Sequence, residues 1–314
     1  MVKQAAIRQT VAQFLVEWMG VHQLSVRSRT ADNYRQHIRS YIIPIIGATY
    51  LNELTAGQVV AVATMQQHKG LSAGTIRLTQ IILRQAFDDA VEWGLMIENV
   101  AKRVALPHVP DTVIKPTTAT DAQQLLEAVE GTKYEPLYIL MLSLGLRRGE
   151  VCALRWGDVD FSAGTLSISR SVQRVTGRGL VVSEPKTTAS RRVLPLPRLA
   201  ASVLGQLFDA TIESRKAAPK SIDYIFPGKG KAPVDPQAVY MGLQSALNKA
   251  GIDPMGLHQL RHAFGTLLRS KGVSEKTLME LLGHTSIRMT VRYGAVVDEL
   301  KTQAASHMDA ALGG

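Results

Sequence analysis

Residues 106–118 interrupt any long helix or central strand, because Pro107, Pro110 and Pro116 remove backbone donors and push the residues before them toward extended conformations. β-branched residues lie between these prolines, so an extended linker is expected at 107–117. The apolar residues on its two sides must then be buried in two separate cores, residues 1–106 and 118–314. A chain of 314 residues is long enough for two domains.

The pattern before the linker is helical. Phe14 and Trp18 repeat at i, i+4, and Tyr34, Ile38 and Ile42 continue that spacing after a start signal at Ser28 and Thr30, with Pro44 and Gly47 as a stop. Helical patterns follow at 55–68 and 75–93, with Ser72 and Gly74 between them. After the linker, 121–130 and 134–144 read as helices. Residues 165–175 alternate as a half-buried strand, and Gly177 and Gly179 supply a turn. Further strands are expected at 181–183 and 192–196, and further helices at 197–216, 235–250, 258–271 and 274–282. The expected class is mainly α with a small antiparallel β-sheet: an all-helical domain joined to a mixed α+β domain.

Composition narrows the partner. Hydrophobic residues make up 46% and charged residues 20%, enough apolar surface for packed cores and too much for a disordered chain. The net charge is +10, and both parts share it: residues 1–117 hold 12 basic and 8 acidic side chains, the remainder 24 and 18. A basic chain of this kind suits a polyanion, either nucleic acid or an anionic membrane. Cys152 is the only cysteine, so no disulfide forms within the chain and a reducing, cytoplasmic setting is expected. Gln4, Arg8, Gln9 and Gln13 break the first twenty residues, which therefore lack the apolar run of a signal peptide. The apolar stretches 41–51 and 138–146 are too short to span a membrane. Nucleic acid is thus favoured over a membrane.

Four segments combine cationic or hydrogen-bonding groups with glycine or proline. They are Gly145-Leu146-Arg147-Arg148-Gly149-Glu150, Pro185-Lys186-Thr187-Thr188, His258-Gln259-Leu260-Arg261-His262, and Leu282-Gly283-His284 with Tyr293 nine residues after the histidine. In this order they resemble the tyrosine recombinase, or phage integrase, family. The resemblance covers nearly the whole chain and implies a SAM-like core-binding DNA domain at 1–106 and a catalytic domain at 118–314. It places the catalytic residues at Arg147, Lys186, His258, Arg261, His284 and Tyr293.

The chemistry fits those residue types. An attacked phosphodiester gains negative charge on its non-bridging oxygens, and guanidinium forks from Arg147 and Arg261 suit it. Lys186 is expected to protonate the leaving 5′ oxygen, His258 to accept the Tyr293 proton, and His284 to give the phosphate a further hydrogen bond. Arg148 is expected at the surface, although either neighbouring arginine could face inward. Trp156 is expected in the core. His258 and His262 stand at a zinc-compatible spacing, but Gln259 occupies the place of a zinc protease's glutamate, so no metal is expected.

Candidate DNA contacts before the linker are Arg27, Ser28, Arg29 and Thr30 at one helix start and Ser72, Thr75, Arg77 and Arg84 around another. Hydroxyls at helix starts suit phosphates, and arginines suit phosphates or guanine edges. The resemblance implies an integrase of mobile DNA that cuts and rejoins strands through a 3′-phosphotyrosyl intermediate without cofactor. Its partners would be double-stranded core sites, a homotetramer on two such sites, and accessory DNA-bending or directionality factors. No room for an additional arm-binding domain is expected before the core-binding domain. Alternatives are chromosome or plasmid dimer resolution, a type IB topoisomerase, and a DNA-binding regulator without catalysis. Beyond Tyr293, Val296, Leu300, Ala304, Met308 and Leu312 recur every four residues, with Asp298 and Glu299 near the start of that stretch. A tail helix is expected there, packing on its own domain or on a neighbouring protomer.

Overall fold

The computed structural model describes residues 9–108, 118–184, 191–217, 224–230 and 232–284. The chain divides into two units, Met1–Thr112 and Val113–Gly314.

In the first unit α1 (Val11–His22) opens with a local exchange. Thr10 Oγ1 accepts the Gln13 N–H, and Gln13 Oε1 accepts the Thr10 N–H at 2.9 Å. Phe14, Leu15 and Trp18 are completely buried. α2 (Ser28–His37) begins without a side-chain cap; Arg27 holds the cap position in extended backbone, so Ser28 and Thr30 are not the start signal expected of them. Pro44 does not stop the helix either. A π turn, Ile38–Ile42, widens it, and Pro44 then falls in the first turn of α3 (Ile43–Ile46), where a missing N–H costs little. α4 (Ala56–His68) is capped by Thr55, and α5 (Ala73–Glu92) by Ser72, two residues ahead of the expected start. A short 3₁₀ turn, Val100–Arg103, follows. The interior includes a neutral polar cluster: Thr79 Oγ1 lies 2.8 Å from His37 Nδ1 and accepts a 2.8 Å bond from Gln66 Nε2. Each of these side chains is buried, so the mutual bonds give Thr79 Oγ1, His37 Nδ1 and Gln66 Nε2 partners where water does not reach, while Gln66 Oε1 has none among the described residues.

The second unit begins with α6 (Ala119–Val129), α7 (Glu135–Leu144) and α8 (Arg148–Cys152). α7 buries Leu137, Tyr138, Leu140, Met141 and Leu144, leaving little surface for solvent, which marks it as the central helix of this core. The strands are β1 (Val159–Asp160), β2 (Thr165–Ile168), β3 (Ser171–Val175), β4 (Gly179–Ser183) and β5 (Arg192–Pro195). The single strand expected at 165–175 is broken at Ser169 and Arg170, where Arg170 turns back to Asp158 (Nη1 to Oδ1, 2.9 Å). Two sheets result. β1-β2-β5 are antiparallel with Leu166 opposite Leu194 and Ile168 opposite Arg192, and β3-β4 form a hairpin with Val172 opposite Val182. Among the described residues four helices follow: α9 (Arg198–Ala217), α10 (Pro236–Lys249), α11 (Leu257–Ser270) and α12 (Glu275–Leu282). Trp156 is half-buried and meets Phe208 edge-on at 5.1 Å. Among the described residues no helix is long and apolar enough to cross a membrane.

Candidate active site

Two helix ends create the site. α7 stops at Gly145, whose φ of 62° is costly for other residues and whose added Cβ would lie 2.5 Å from the Phe264 ring. This tight stop directs the next residues into α8, with Arg147 as its cap. α12 stops at Gly283 (φ 60°), where the Gly283 N–H returns to Glu280 O at 3.1 Å and the His284 N–H to Met279 O at 2.9 Å. That paired return is the Schellman arrangement, and it holds His284 against the helix end with 9% of its surface exposed.

The last carbonyls of α12 have no partners within the helix. Arginines supply them. Arg147 Nη2 donates to Gly283 O at 2.8 Å, Arg261 Nη2 donates to Leu282 O, and Arg192 Nε donates to Leu281 O at 2.7 Å. Arg261 Nη1 also donates to Gly145 O at 2.7 Å, so one guanidinium joins the ends of α7 and α12. The negative ends of two helix dipoles meet this buried cation and offset part of its desolvation.

Glu150 anchors the other side. Its Oε2 accepts the Arg147 N–H and Arg192 Nη2, both at 2.9 Å, while Oε1 accepts Arg147 Nη1 at 2.7 Å. Burial would raise its pKa, but the hydrogen bonds and positive charges of Arg192 and Arg147 win and hold it at about 2. Desolvation, then the charges of Arg261, Arg147 and Arg148, lower the pKa of His258 in the first turn of α11. Desolvation followed by Arg261 and Arg147 lowers that of His284 to about 4. Both imidazoles are consequently neutral at pH 7. Neutral His258 has a lone pair for a proton, and neutral His284 has a single N–H to donate.

Arg147, His258, Arg261 and His284 are thus brought together electrostatically, and the two arginines differ in exposure. The Arg147 side chain is 32% exposed, whereas Arg261 is 1% exposed and engaged with backbone carbonyls. Packing α11 between the ends of α7 and α12 places Arg261 beneath the site rather than at its surface. Arg148 is exposed, as expected of it. His258 and His262 meet edge-on at 4.6 Å, and no group of three potential metal ligands occurs among the described residues. Lys186, Tyr293 and the tail from Val296 to Leu312, including Asp298 and Glu299, lie outside the described residues. Arg192 was not legible as a site residue: its neighbour Arg191 has the same chemistry but is exposed and pairs with Glu184.

The N-terminal candidates divide as well. Arg27, Ser28 and Arg29 are exposed and Thr30 is half-buried. The Ser72 hydroxyl caps α5 by accepting the Thr75 N–H, and it lies 3.0 Å from Thr75 Oγ1. Arg77 Nη1 donates to Pro107 O at 3.2 Å. Arg84 donates from Nε to Ala101 O at 3.3 Å and from Nη2 to Val104 O at 2.6 Å. The last two arginines are turned toward carbonyls of the chain that follows α5.

Comparison with known proteins follows the same division. Residues 115–299 match the phage integrase family, and residues 10–62 match the phage integrase N-terminal SAM-like domain. A tyrosine recombinase XerC-like protein of Caldanaerobacter subterraneus subsp. tengcongensis is 27% identical over 94% of this chain and 81% of its own. An integrase of Mycobacterium phage D29 is 28% identical over 93% and 76%, respectively. Among solved structures, the Tn1549 transposon integrase in complex with a circular intermediate DNA has a TM-score of 0.79 at 24% identity, covering 95% of this chain and 99% of that one. A lambda integrase tetramer bound to a Holliday junction has a TM-score of 0.70 at 19% identity, with coverage of 91% and 78%.

Proposed function

The chain belongs to the phage integrase family, tyrosine recombinases that break and rejoin DNA, and we propose that six of its side chains divide the chemistry of strand cleavage. Tyr293 Oη attacks the scissile phosphorus, forming a 3′-phosphotyrosyl bond as the bond to the 5′ oxygen breaks. His258 takes the tyrosine proton, and Lys186 gives a proton to the departing 5′ oxygen. Arg147 binds a non-bridging oxygen through its exposed side. Arg261, beneath it, adds positive field and fixes the two helix ends, while His284 donates its N–H to the phosphate. In the second half-reaction a 5′ hydroxyl of the partner strand attacks the phosphotyrosine, so the bond energy is conserved and no external energy source is required.

Residues 1–106 grip DNA, 107–117 connect, and 118–314 catalyse. Double-stranded core sites are the substrate, four copies act on two sites, and the compartment is the cytoplasm. Integration of mobile DNA is the favoured role; dimer resolution is the second reading, supported by the XerC-like relative. The observation that carries the chemical assignment is the meeting of Arg147, Arg261 and His284 at the C-terminal turn of α12. Its test is covalent capture. The wild-type chain is used to select a core-site duplex from random-sequence DNA by adduct formation under denaturing conditions. Tyr293→Phe should bind that duplex with near-normal affinity and form no adduct. An adduct with this variant would move the nucleophile elsewhere.

A further inference from the structure

Arg192 is a buried cation with no part in the chemistry just assigned. Its side chain is 6% exposed, which keeps it from DNA. Its planar fork nevertheless joins the two structures that aim the catalytic groups. Nη1 and Nη2 donate to Glu150 Oε1 and Oε2 at 3.3 and 2.9 Å, and Nε donates to Leu281 O at 2.7 Å. Glu150 in turn holds both the backbone N–H and the Nη1 of Arg147. Leu281 begins the run of three carbonyls that ends at Gly283, immediately before His284. The three carbonyls are taken by arginines from β5, α11 and the start of α8, so the turn carrying His284 is held at three consecutive points.

We propose that Arg192 is a positioning residue for strand cleavage, setting the distance between the carboxylate that aims Arg147 and the helix end that carries His284. This rests on the reading of Arg147 as a phosphate ligand. A guanidinium is suited to the task because its donors point in fixed directions within one plane; a lysine ammonium can neutralise Glu150 but cannot span carboxylate and carbonyl with the same geometry. Misplacing a charge donor by about 1 Å can cost on the order of 10²-fold in rate, so a residue that never touches the phosphate can still control cleavage.

The test is a double-mutant cycle on single-turnover covalent capture of the selected duplex, with equilibrium binding to that duplex measured in parallel. Arg192→Ala should slow capture by about tenfold or more while binding changes by less than about threefold. In an Arg147→Ala background the same substitution should cost clearly less than in the wild type, because the part of its effect that passes through Arg147 is already lost. Arg192→Lys retains the buried charge, carries the same test should the alanine variant not fold, and should remain slow. Arg191→Ala should match wild type. Wild-type capture by Arg192→Ala, full additivity with Arg147→Ala, or complete rescue by lysine would each overturn the proposal. If Arg147→Ala itself captures at the wild-type rate, the reading of the phosphate site has failed first, and the two failures are thereby told apart.

Discussion

Both units set arginine against backbone carbonyls, yet they put the result to different use. In the N-terminal unit Arg84 holds Ala101 O and Val104 O, and the buried His37, Gln66 and Thr79 hydrogen-bond one another as neutral groups. In the C-terminal unit Arg261 holds Gly145 O and Leu282 O in the same manner, but Glu150 is shared there by Arg147 and Arg192, and two histidines lie in the field. Among the described residues, one carboxylate between two guanidinium groups leaves that cluster net positive. A neutral interior makes a stable platform, whereas a preorganised positive cluster of this kind suits a phosphate in the proposed reaction. Backbone stapling is therefore common to both units, and among the described residues surplus positive charge beside titratable rings distinguishes the second.

Substitutions in the two units should fail in different ways. The largest effect is expected for Arg147→Ala, which should reduce single-turnover cleavage by about 10² to 10³ with little change in duplex binding. Arg148→Ala, at the exposed neighbouring position, should lose far less. Equal losses would mean that the wrong arginine has been assigned to the phosphate.

Next is the contrast between the two stapling arginines. Arg261→Ala abandons the carbonyl ends of two helices at a buried position and should destabilise the chain by about 3 kcal/mol or more, whereas Arg84→Ala, half-buried, should cost about 1 to 2 kcal/mol. Urea denaturation measures both. A smaller loss at Arg261 than at Arg84 would contradict a structural share in its role.

The exposed cations of the first unit should affect binding alone. Arg27→Ala and Arg29→Ala should each weaken duplex affinity several-fold and reduce the slope of log affinity against log salt by about 0.9, the change expected for each phosphate no longer neutralised. Arg84→Ala should leave that slope unchanged, since its guanidinium faces the backbone. A reduced slope for Arg84→Ala would place it on DNA after all.

The smallest effect is in pH dependence. His258 is a base only when neutral, and its pKa is lowered by desolvation and by Arg261, Arg147 and Arg148. Cleavage measured below saturation reports the free protein, so its acid limb should lie below the ordinary imidazole value of 6.5, with the rate falling as pH drops through the lowered pKa. His258→Gln should flatten that limb. An acid limb above 6.5 would remove His258 from the role of base.

Much of the local architecture can be read from neighbouring residues. Thr55 with Gln58, and Ser274 with Thr277, announce the starts of α4 and α12 because capping is an exchange over three residues. The motif positions Arg147, His258, Arg261 and His284 are legible because the spacing of residue types is itself the signal. Pro44 and the strand break at Arg170 are not. The first depends on a π turn preceding it, and the second on the attraction of Asp158.

The sequence by itself determined the two cores, the helical first unit, the mixed second unit and the set of residues suited to phosphodiester chemistry. Caps, proline constraints and apolar periodicity act within a few residues, so a linear reading reaches them. Tertiary structure alone decided which arginine is buried against backbone carbonyls, which stays partly exposed and which bridges a carboxylate and a helix end. Arg192 meets Leu281 across 89 positions of chain, and Arg261 meets Gly145 across 116. Arg191 and Arg192 have the same side chain and adjacent places in the sequence. Only the packing of β5 against α12 and Glu150 buries one and leaves the other in water.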